Sequence, residues 1–518
     1  MDFVRWRFSA VFLLLVVLAV QTAQAGDVTS PRVLAALPEL DRLAEQILKK
    51  TGVPGMAVAV VYKNQVVHLK GFGIRETGKK EPIDADTVFQ LASVSKPVAS
   101  TVLAALVGEG VIGWDDRVID HDPGFRMYDP WVTRELTLRD LLCHRSGLPD
   151  HAGDLLEDLG YGRAEVLHRL RFEKPTSSFR SQFAYTNFGY TEAAIAGAKA
   201  AGTAWEDLAA AKLFRPLGMK SSSYRFAAYA AADNRARLHV RVDGKWTARH
   251  IRQPDAQAPA GGASSTARDM AQWLRLLLAN GTFEGKQVIA AKALAETHRP
   301  QIVSHAPANP ATDRAGFYGL GWNVNYDDAG RVRLGHSGAF SLGAATVVTL
   351  LPAEGLGIVV LTNGMPIGVP EALSASFLDL VLKEKVERDW LEVMQPIFAA
   401  MLKPEYGSAV NDVKPPAMPS PPLAMGAYVG SYRNDYYGEL EVVEQDGSLI
   451  ITLGPKKASF RLRHWDRDTF TYQPPGENTS GLSAVTFWIG PDRKGNRVVV
   501  ENLDLHGQGT FTRPAIEK

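Results

Sequence analysis

Apolar positions recur along this chain with two different periods, and the alternation between them separates strands from helices. From Gly55 to Gly73 two β-rich runs flank Lys63-Asn64, a pair suited to a tight turn, which predicts a hairpin. A second hairpin is predicted within the β-rich stretch 332–363, where Ala344–Leu350 and Gly357–Thr362 flank the turn composition Pro352-Ala353-Glu354-Gly355. Helical patterns alternate with these strands. A run from Asp41 ends at Gly52, which reads as a C-cap. Pro97–Val107 is rich in Ala, Val and Leu with no internal breaker, and Pro97 is tolerated because it falls in the first turn, so a buried helix is expected. Residues 115 to about 260 mix helical patterns with Gly/Pro-punctuated loops, including two short helices over Thr191–Leu217, and read as a mostly helical insertion. Helix returns at Ala267–Leu278 and over a long stretch from Pro370 to Leu402. Beyond Lys414–Pro422, short alternating segments such as Leu440–Glu444, Leu449–Leu453 and Thr469–Tyr472 suggest a small antiparallel β-barrel. No internal repeat is evident.

The expected architecture is therefore α/β: a sheet flanked by helices with a helical subdomain, then a separate barrel. Its 518 residues suffice for two or more domains at roughly 150 residues each. Residues 1–25 form the pattern of a cleavable signal peptide: Arg5 and Arg7, an apolar run from Phe8 to Val20, and Ala23-Gln24-Ala25 as the small-residue site, with cleavage after Ala25. That run falls short of the roughly 20 residues that span a bilayer, so no stable membrane insertion is expected once it is removed. The main domain is placed at 26–403, a Pro-rich, semi-rigid linker at 404–422 and the barrel at 423–518. A periplasmic or secreted location follows from the leader.

Charge narrows the partners. A formal net charge of +1 with 22% charged residues suits a globular protein and gives no footprint for nucleic acid. Cys143 is the only cysteine, which excludes an intrachain disulfide, and it reads as a small buried residue.

The candidate chemistry starts at Ser93-Val94-Ser95-Lys96, a hydroxyl nucleophile three residues from an amine where a helix begins. On one turn the two side chains share a face. The unpaired N–H groups of a helix start also favour developing negative charge. Apolar neighbours in Phe89-Gln90-Leu91-Ala92 would desolvate Lys96 and lower its proton affinity toward that of a useful base.

Two further triplets, Tyr185-Thr186-Asn187 and His336-Ser337-Gly338, follow in order and at wide spacing. With the serine motif they resemble the penicillin-recognising serine hydrolases, in the branch of class C β-lactamases, D-aminopeptidases and esterases. Leu138–Pro149, Leu213–Met219 and Gly261–Asp269 are similar to further landmarks of that family, and the resemblance covers Leu37 to Lys403. Tyr62-Lys63-Asn64 sits at a hairpin tip, Tyr432-Arg433-Asn434 lies beyond the linker, and Lys50-Thr51-Gly52 precedes the nucleophile, so none of these takes the second or third place.

The resemblance implies a transpeptidase-like antiparallel sheet and acyl transfer. In it Ser93 attacks a carbonyl, Lys96 and Tyr185 share proton abstraction and delivery, and Asn187 positions substrate and Lys96. His336, Ser337 and Gly338 line the substrate strand, and the backbone N–H groups of Ser93 and Ala339 form the oxyanion hole. No metal or other cofactor is implied, and His121, His144 and His151 form no ligand motif. The third motif departs from the family's Lys-Thr-Gly. A neutral histidine supplies no permanent charge for a substrate carboxylate, which ranks D-amino-acid peptides ahead of carboxylic esters and β-lactams. The expected partner is a small molecule or short peptide. A β-lactamase or carboxylesterase of the same fold, and a non-hydrolysing penicillin-binding sensor, are the alternatives. The C-terminal block resembles the lipocalin-like barrel appended in this family, and gating, ligand binding and oligomerisation stay open for it, as does the oligomeric state.

Overall fold

The computed structural model describes residues 28–411 and 413–514, so the signal peptide reading lies outside the described residues. Helix α1 (Ser30–Thr51) ends where Gly52 turns left-handed and returns its N–H to Leu48, the cap that the sequence indicates. Strands β1 (Gly55–Tyr62) and β2 (Gln65–Gly73) then form the first hairpin, with Lys63 and Asn64 both at positive φ in its turn. Helix α2 (Ser95–Gly108) follows the nucleophile motif, and every residue from Ser95 to Leu106 is buried. A helix that is apolar on all sides belongs at the centre of a core.

The helical subdomain follows. Its longest helix, α3 (Asn187–Ala200), starts four residues before the expected position. Helix α4 (Ala267–Leu278) has the bounds its periodicity predicts and is capped by Thr266, whose side chain accepts the Asp269 N–H. The rest of the main sheet comprises β3 (Ile302–His305), β4 (Gly316–Tyr318), β5 (Asn323–Tyr326), β6 (Val332–Phe340), β7 (Ala344–Leu351) and β8 (Leu356–Thr362). Its order is β2-β1-β8-β7-β6-β5-β4-β3, antiparallel throughout. Strands β1, β7 and β8 are buried along their whole length because helices cover both faces. One core joins the sheet to α2, α4 and the helical subdomain; a second joins it to α1 and the C-terminal helices.

The long helix expected over Pro370–Leu402 is two helices, α5 (Val369–Lys383) and α6 (Trp390–Met401). Glu384 takes a left-handed conformation and stops the first. Asp389 caps the second by accepting the N–H groups of Leu391 and Glu392. Residues 413–424 then run without helix or strand to the barrel.

Among the described residues, nine antiparallel strands build that barrel: β9 (Gly430–Asn434), β10 (Gly438–Gln445), β11 (Ser448–Leu453), β12 (Ala458–Arg461), β13 (Arg463–Asp466), β14 (Thr469–Tyr472), β15 (Ser483–Ile489), β16 (Gly495–Val500) and β17 (Thr510–Thr512). Their order is β12-β11-β10-β9-β17-β16-β15-β14-β13, nearly closed, since the two outermost strands are consecutive in sequence without pairing. Tyr428 and Tyr432 fill its core. Tyr436 and Tyr437 pack on the helical subdomain, where Gly153 N–H donates to Tyr436 Oη at 2.8 Å and Tyr161 O–H donates to the Tyr437 carbonyl at 2.8 Å.

Candidate active site

Ser93 stands in a single 3₁₀ turn, Ala92–Val94, that feeds directly into α2. The residue before it, Ala92, is held at φ +46°, a conformation that L-residues with a Cβ rarely adopt and that persists only where the surroundings impose it. Those surroundings are β6 and β7. Thr346 Oγ1 donates to the Leu91 carbonyl at 2.7 Å, and a Cβ built on Gly338 would fall 2.2 Å from that carbonyl and 3.0 Å from Ser93 N. Glycine at 338 therefore lets the strand backbone lie against the nucleophile turn.

Lys96 is wholly buried, and its Nζ reaches three acceptors: Ser93 Oγ at 3.3 Å, Asn187 Oδ1 at 2.7 Å and the Ala260 carbonyl at 3.1 Å. The amine also lies 4.3 Å from the centre of the Tyr185 ring. Burial lowers the Lys96 pKa to about 7, against an opposing pull from the Asp154 carboxylate. At neutral pH a large share of this lysine is thus a free amine within reach of a hydroxyl.

Asn187 opens α3 and has its amide fixed from both ends. Oδ1 accepts from Lys96 while Nδ2 donates to Asp154 Oδ2 at 2.8 Å. Asp154 in turn holds the half-exposed His151 at Nδ1, 2.8 Å away, and that hydrogen bond, with the charges of Asp154 and Asp150, raises the pKa of the ring.

The backbone of Tyr185 is pinned between two histidines. Ala184 N–H donates to the His144 carbonyl at 2.9 Å, Thr186 N–H to His144 Nδ1 at 3.1 Å, and His151 N–H to the Tyr185 carbonyl at 2.8 Å. The His144 ring packs against Tyr185 at a tilt of 39° with centroids 4.5 Å apart, and burial keeps it neutral. Burial also pushes the Tyr185 phenol, which neighbours the Ser93 hydroxyl, well above its ordinary value. This tyrosine keeps its proton at neutral pH.

On the other side of the cleft, β6 pairs with β7 over residues 334–340 but with β5 only up to Gly335. From His336 to Phe340 its second edge has no strand partner among the described residues, which leaves alternate N–H and C=O groups open to an extended ligand. His336 is buried beside this edge. Its Nε2 lies 2.9 Å from Tyr318 Oη and its Nδ1 2.6 Å from the Ser337 carbonyl, so the ring is best satisfied as a neutral imidazole that donates from Nδ1 and accepts at Nε2. Burial, reinforced by Lys96, lowers its pKa to about 3.

Ser93, Lys96, Tyr185, Asn187, His336 and Gly338 thus converge from three segments of the chain. Ser337 does not join them. Strand alternation turns its side chain to the opposite face, toward Glu371 of α5, and only its backbone carbonyl takes part. Two participants had no signal in the motifs, Asp154 and Tyr318, which orient Asn187 and His336; a third, His144, lies within the Leu138–Pro149 landmark with no role assigned to it there, and supports Tyr185. Cys143, adjacent to it, is buried with its thiol pushed up to about 12, an inert position.

The Beta-lactamase family model matches residues 40–383, which holds all of these groups. The chain belongs to the beta-lactamase family. It is accordingly a serine hydrolase of the β-lactamase-related kind. Residues 414–513 match a second model, a domain of unknown function, DUF3471. Among similar proteins, Penicillin-binding protein 4 of Amycolatopsis lactamdurans is 29% identical over 60% of this chain and 81% of its own length. The D-alanyl-D-alanine-carboxypeptidase/endopeptidase AmpH of Escherichia coli K12 is 26% identical over 72% and 95%, and the Unguisins hydrolase ungD' of Aspergillus campestris 24% over 87% and 86%. The octameric penicillin-binding protein homologue from Pyrococcus abyssi superposes with a TM-score of 0.59 at 18% identity, covering 92% of this chain and all of that one. At that identity the likeness is one of fold.

Proposed function

We propose that this family member is an exported hydrolase that cleaves small amides or esters through an acyl-enzyme on Ser93, with D-amino-acid peptides its favoured substrates. The observation that carries the reading is Lys96: an amine with pKa near 7, buried, and 3.3 Å from Ser93 Oγ. In the proposed cycle Ser93 Oγ attacks the substrate carbonyl and its proton passes to Lys96. The resulting ammonium is stabilised by the Ala260 carbonyl, Asn187 Oδ1 and the face of the Tyr185 ring. Tyr185, protonated, hands its proton to the leaving amine or alkoxide and regains one from Lys96. Water then attacks the ester along the reverse relay. The N–H groups of Ser93 and Ala339 are the proposed oxyanion donors, each worth roughly 3 kcal/mol in the transition state.

The substrate ranking rests on β6. Its open edge suits a peptide backbone, while a neutral His336 already engaged by Tyr318 offers no cation to a β-lactam or C-terminal carboxylate. Full-length protein assayed side by side on D-aminoacyl anilides, short-chain nitrophenyl esters and nitrocefin should turn over the anilides with the highest kcat/KM, and Ser93→Ala should abolish all three activities. Comparable rates on the three classes would defeat the ranking. A persistent adduct with labelled penicillin and no turnover would favour the sensor reading.

A further inference from the structure

The barrel reaches the edge of the catalytic cleft through one loop. Residues 473–482, between β14 and β15, place Glu477 against the turn that joins β6 to β7, two residues beyond Ala339. Ser341 N–H donates to Glu477 Oε1, Leu342 N–H to Oε2 at 3.4 Å, and Ser341 O–H to the Glu477 carbonyl at 2.7 Å. Behind the loop, Asp158 accepts the N–H groups of Glu477 and Asn478, both at 2.9 Å, and the Asn478 side chain at 3.1 Å. Gly476 sits at φ +112°, and a Cβ there would fall 2.1 Å from the Asp158 carboxyl carbon, so the loop seats only with glycine. Arg252 closes the group. It is 2.6 Å from Glu157 and 3.8 Å from Glu477, with its guanidinium 5.1 Å from the centre of the Phe340 ring at the end of β6.

We propose that Glu477, supplied by the C-terminal barrel, is a positioning residue for the Ser93 site: it clamps the β6–β7 turn and so sets the distance between the Ala339 edge and the nucleophile. The inference rests on the acyl-transfer reading above. Its physical ground is that residues 336–340 of β6 are held by a strand on one side only, so the turn that follows them decides where that free edge lies. A carboxyl that accepts two consecutive backbone N–H groups fixes a turn more firmly than water would. A displacement of about 1 Å at a reacting site costs on the order of 100-fold in rate.

The clamp is also sensitive to pH. Glu157, Asp158 and Glu477 share one guanidinium, Arg252, with Asp154 beyond Glu157 and Tyr406 beside Asp158. Burial raises all three carboxyls, Asp158 to about 7 and Glu477 to about 8. The docked state therefore binds more protons than an undocked one between the ordinary carboxylate range and about pH 8, and docking weakens as pH rises through that window.

Full-length wild type, E477A and E477Q should be compared by hydrogen exchange over residues 336–343 and by the rate at which a fluorophosphonate phosphonylates Ser93, the hydroxyl oxygen displacing fluoride from phosphorus. E477A is expected to lose protection at Ser341 and Leu342 and to be phosphonylated about 10- to 100-fold more slowly. E477Q keeps one acceptor oxygen of the two, so it should restore protection at Ser341, leave Leu342 less protected, and bring labelling of Ser93 to within about threefold of wild type. It should also lose much of the decline that wild type shows as pH rises toward about 8. Wild-type protection or a wild-type rate in E477A overturns the clamp. Should E477A fail to fold, an unchanged alkaline decline in E477Q overturns it instead. An unlabelled Ser93 in wild type would contradict the acyl-transfer reading alone, because exchange at Ser341 and Leu342 still judges the clamp.

Discussion

At the residue scale the site turns on one proton. Lys96 is a base only when neutral, so kcat/KM should rise about tenfold per pH unit on the acid side and level off near 7. Lys96→Arg, which stays charged at every accessible pH, should lose that limb together with at least about 1000-fold in rate. Asp154 tunes the same group, because its charge raises the Lys96 pKa while its oxygen holds Asn187. Asp154→Asn keeps a hydrogen-bond acceptor and removes the charge. The limb should then move to lower pH, and an unmoved limb would show that Lys96 is not the titrating base. The groups proposed to react were legible because Ser93 and Lys96, Tyr185 and Asn187, and His336 and Gly338 each lie within one short triplet or tetrad. Asp154, 33 residues before Asn187, and the positive φ of Ala92, which β6 and β7 impose from more than 200 residues away, left no local signal.

At the element scale the site is a junction between a buried helix start and a strand edge. The bounds of α4 and both hairpins were legible because period and turn chemistry agree there. The gap between α5 and α6 was less so: apolar positions continue on both sides, and only the cap at Asp389 marks the restart. Ser337 teaches the converse lesson. Strand alternation places it opposite His336, so a motif read as a continuous triplet overstates its side-chain content. Gly338 is the tightest contact of the junction. Gly338→Ala should press on the Leu91 carbonyl, lower stability by about 1–3 kcal/mol in urea unfolding, and abolish acylation by moving β6 off the nucleophile turn. Native stability with a native rate would contradict this close approach.

At the scale of the whole molecule the barrel is part of the catalytic domain's surroundings. Tyr436 carries its phenol to the Gly153 N–H, next to Asp154, and Glu477 reaches the β6–β7 turn, contacts across 283 and 136 residues that no local period foretells. Tyr436→Phe leaves that buried N–H without its acceptor and should cost about 1–3 kcal/mol in urea unfolding. No helix among the described residues is long and apolar enough to cross a membrane. The central claim, that the folded chain presents Ser93 as an activated nucleophile, is tested most directly by treating full-length protein with a fluorophosphonate and mapping the adduct by mass. We predict one adduct per chain, on the peptide that contains Ser93, formed faster at pH 8 than at pH 6 and absent from Ser93→Ala. An adduct on another residue, or none on a folded chain at either pH, would contradict it.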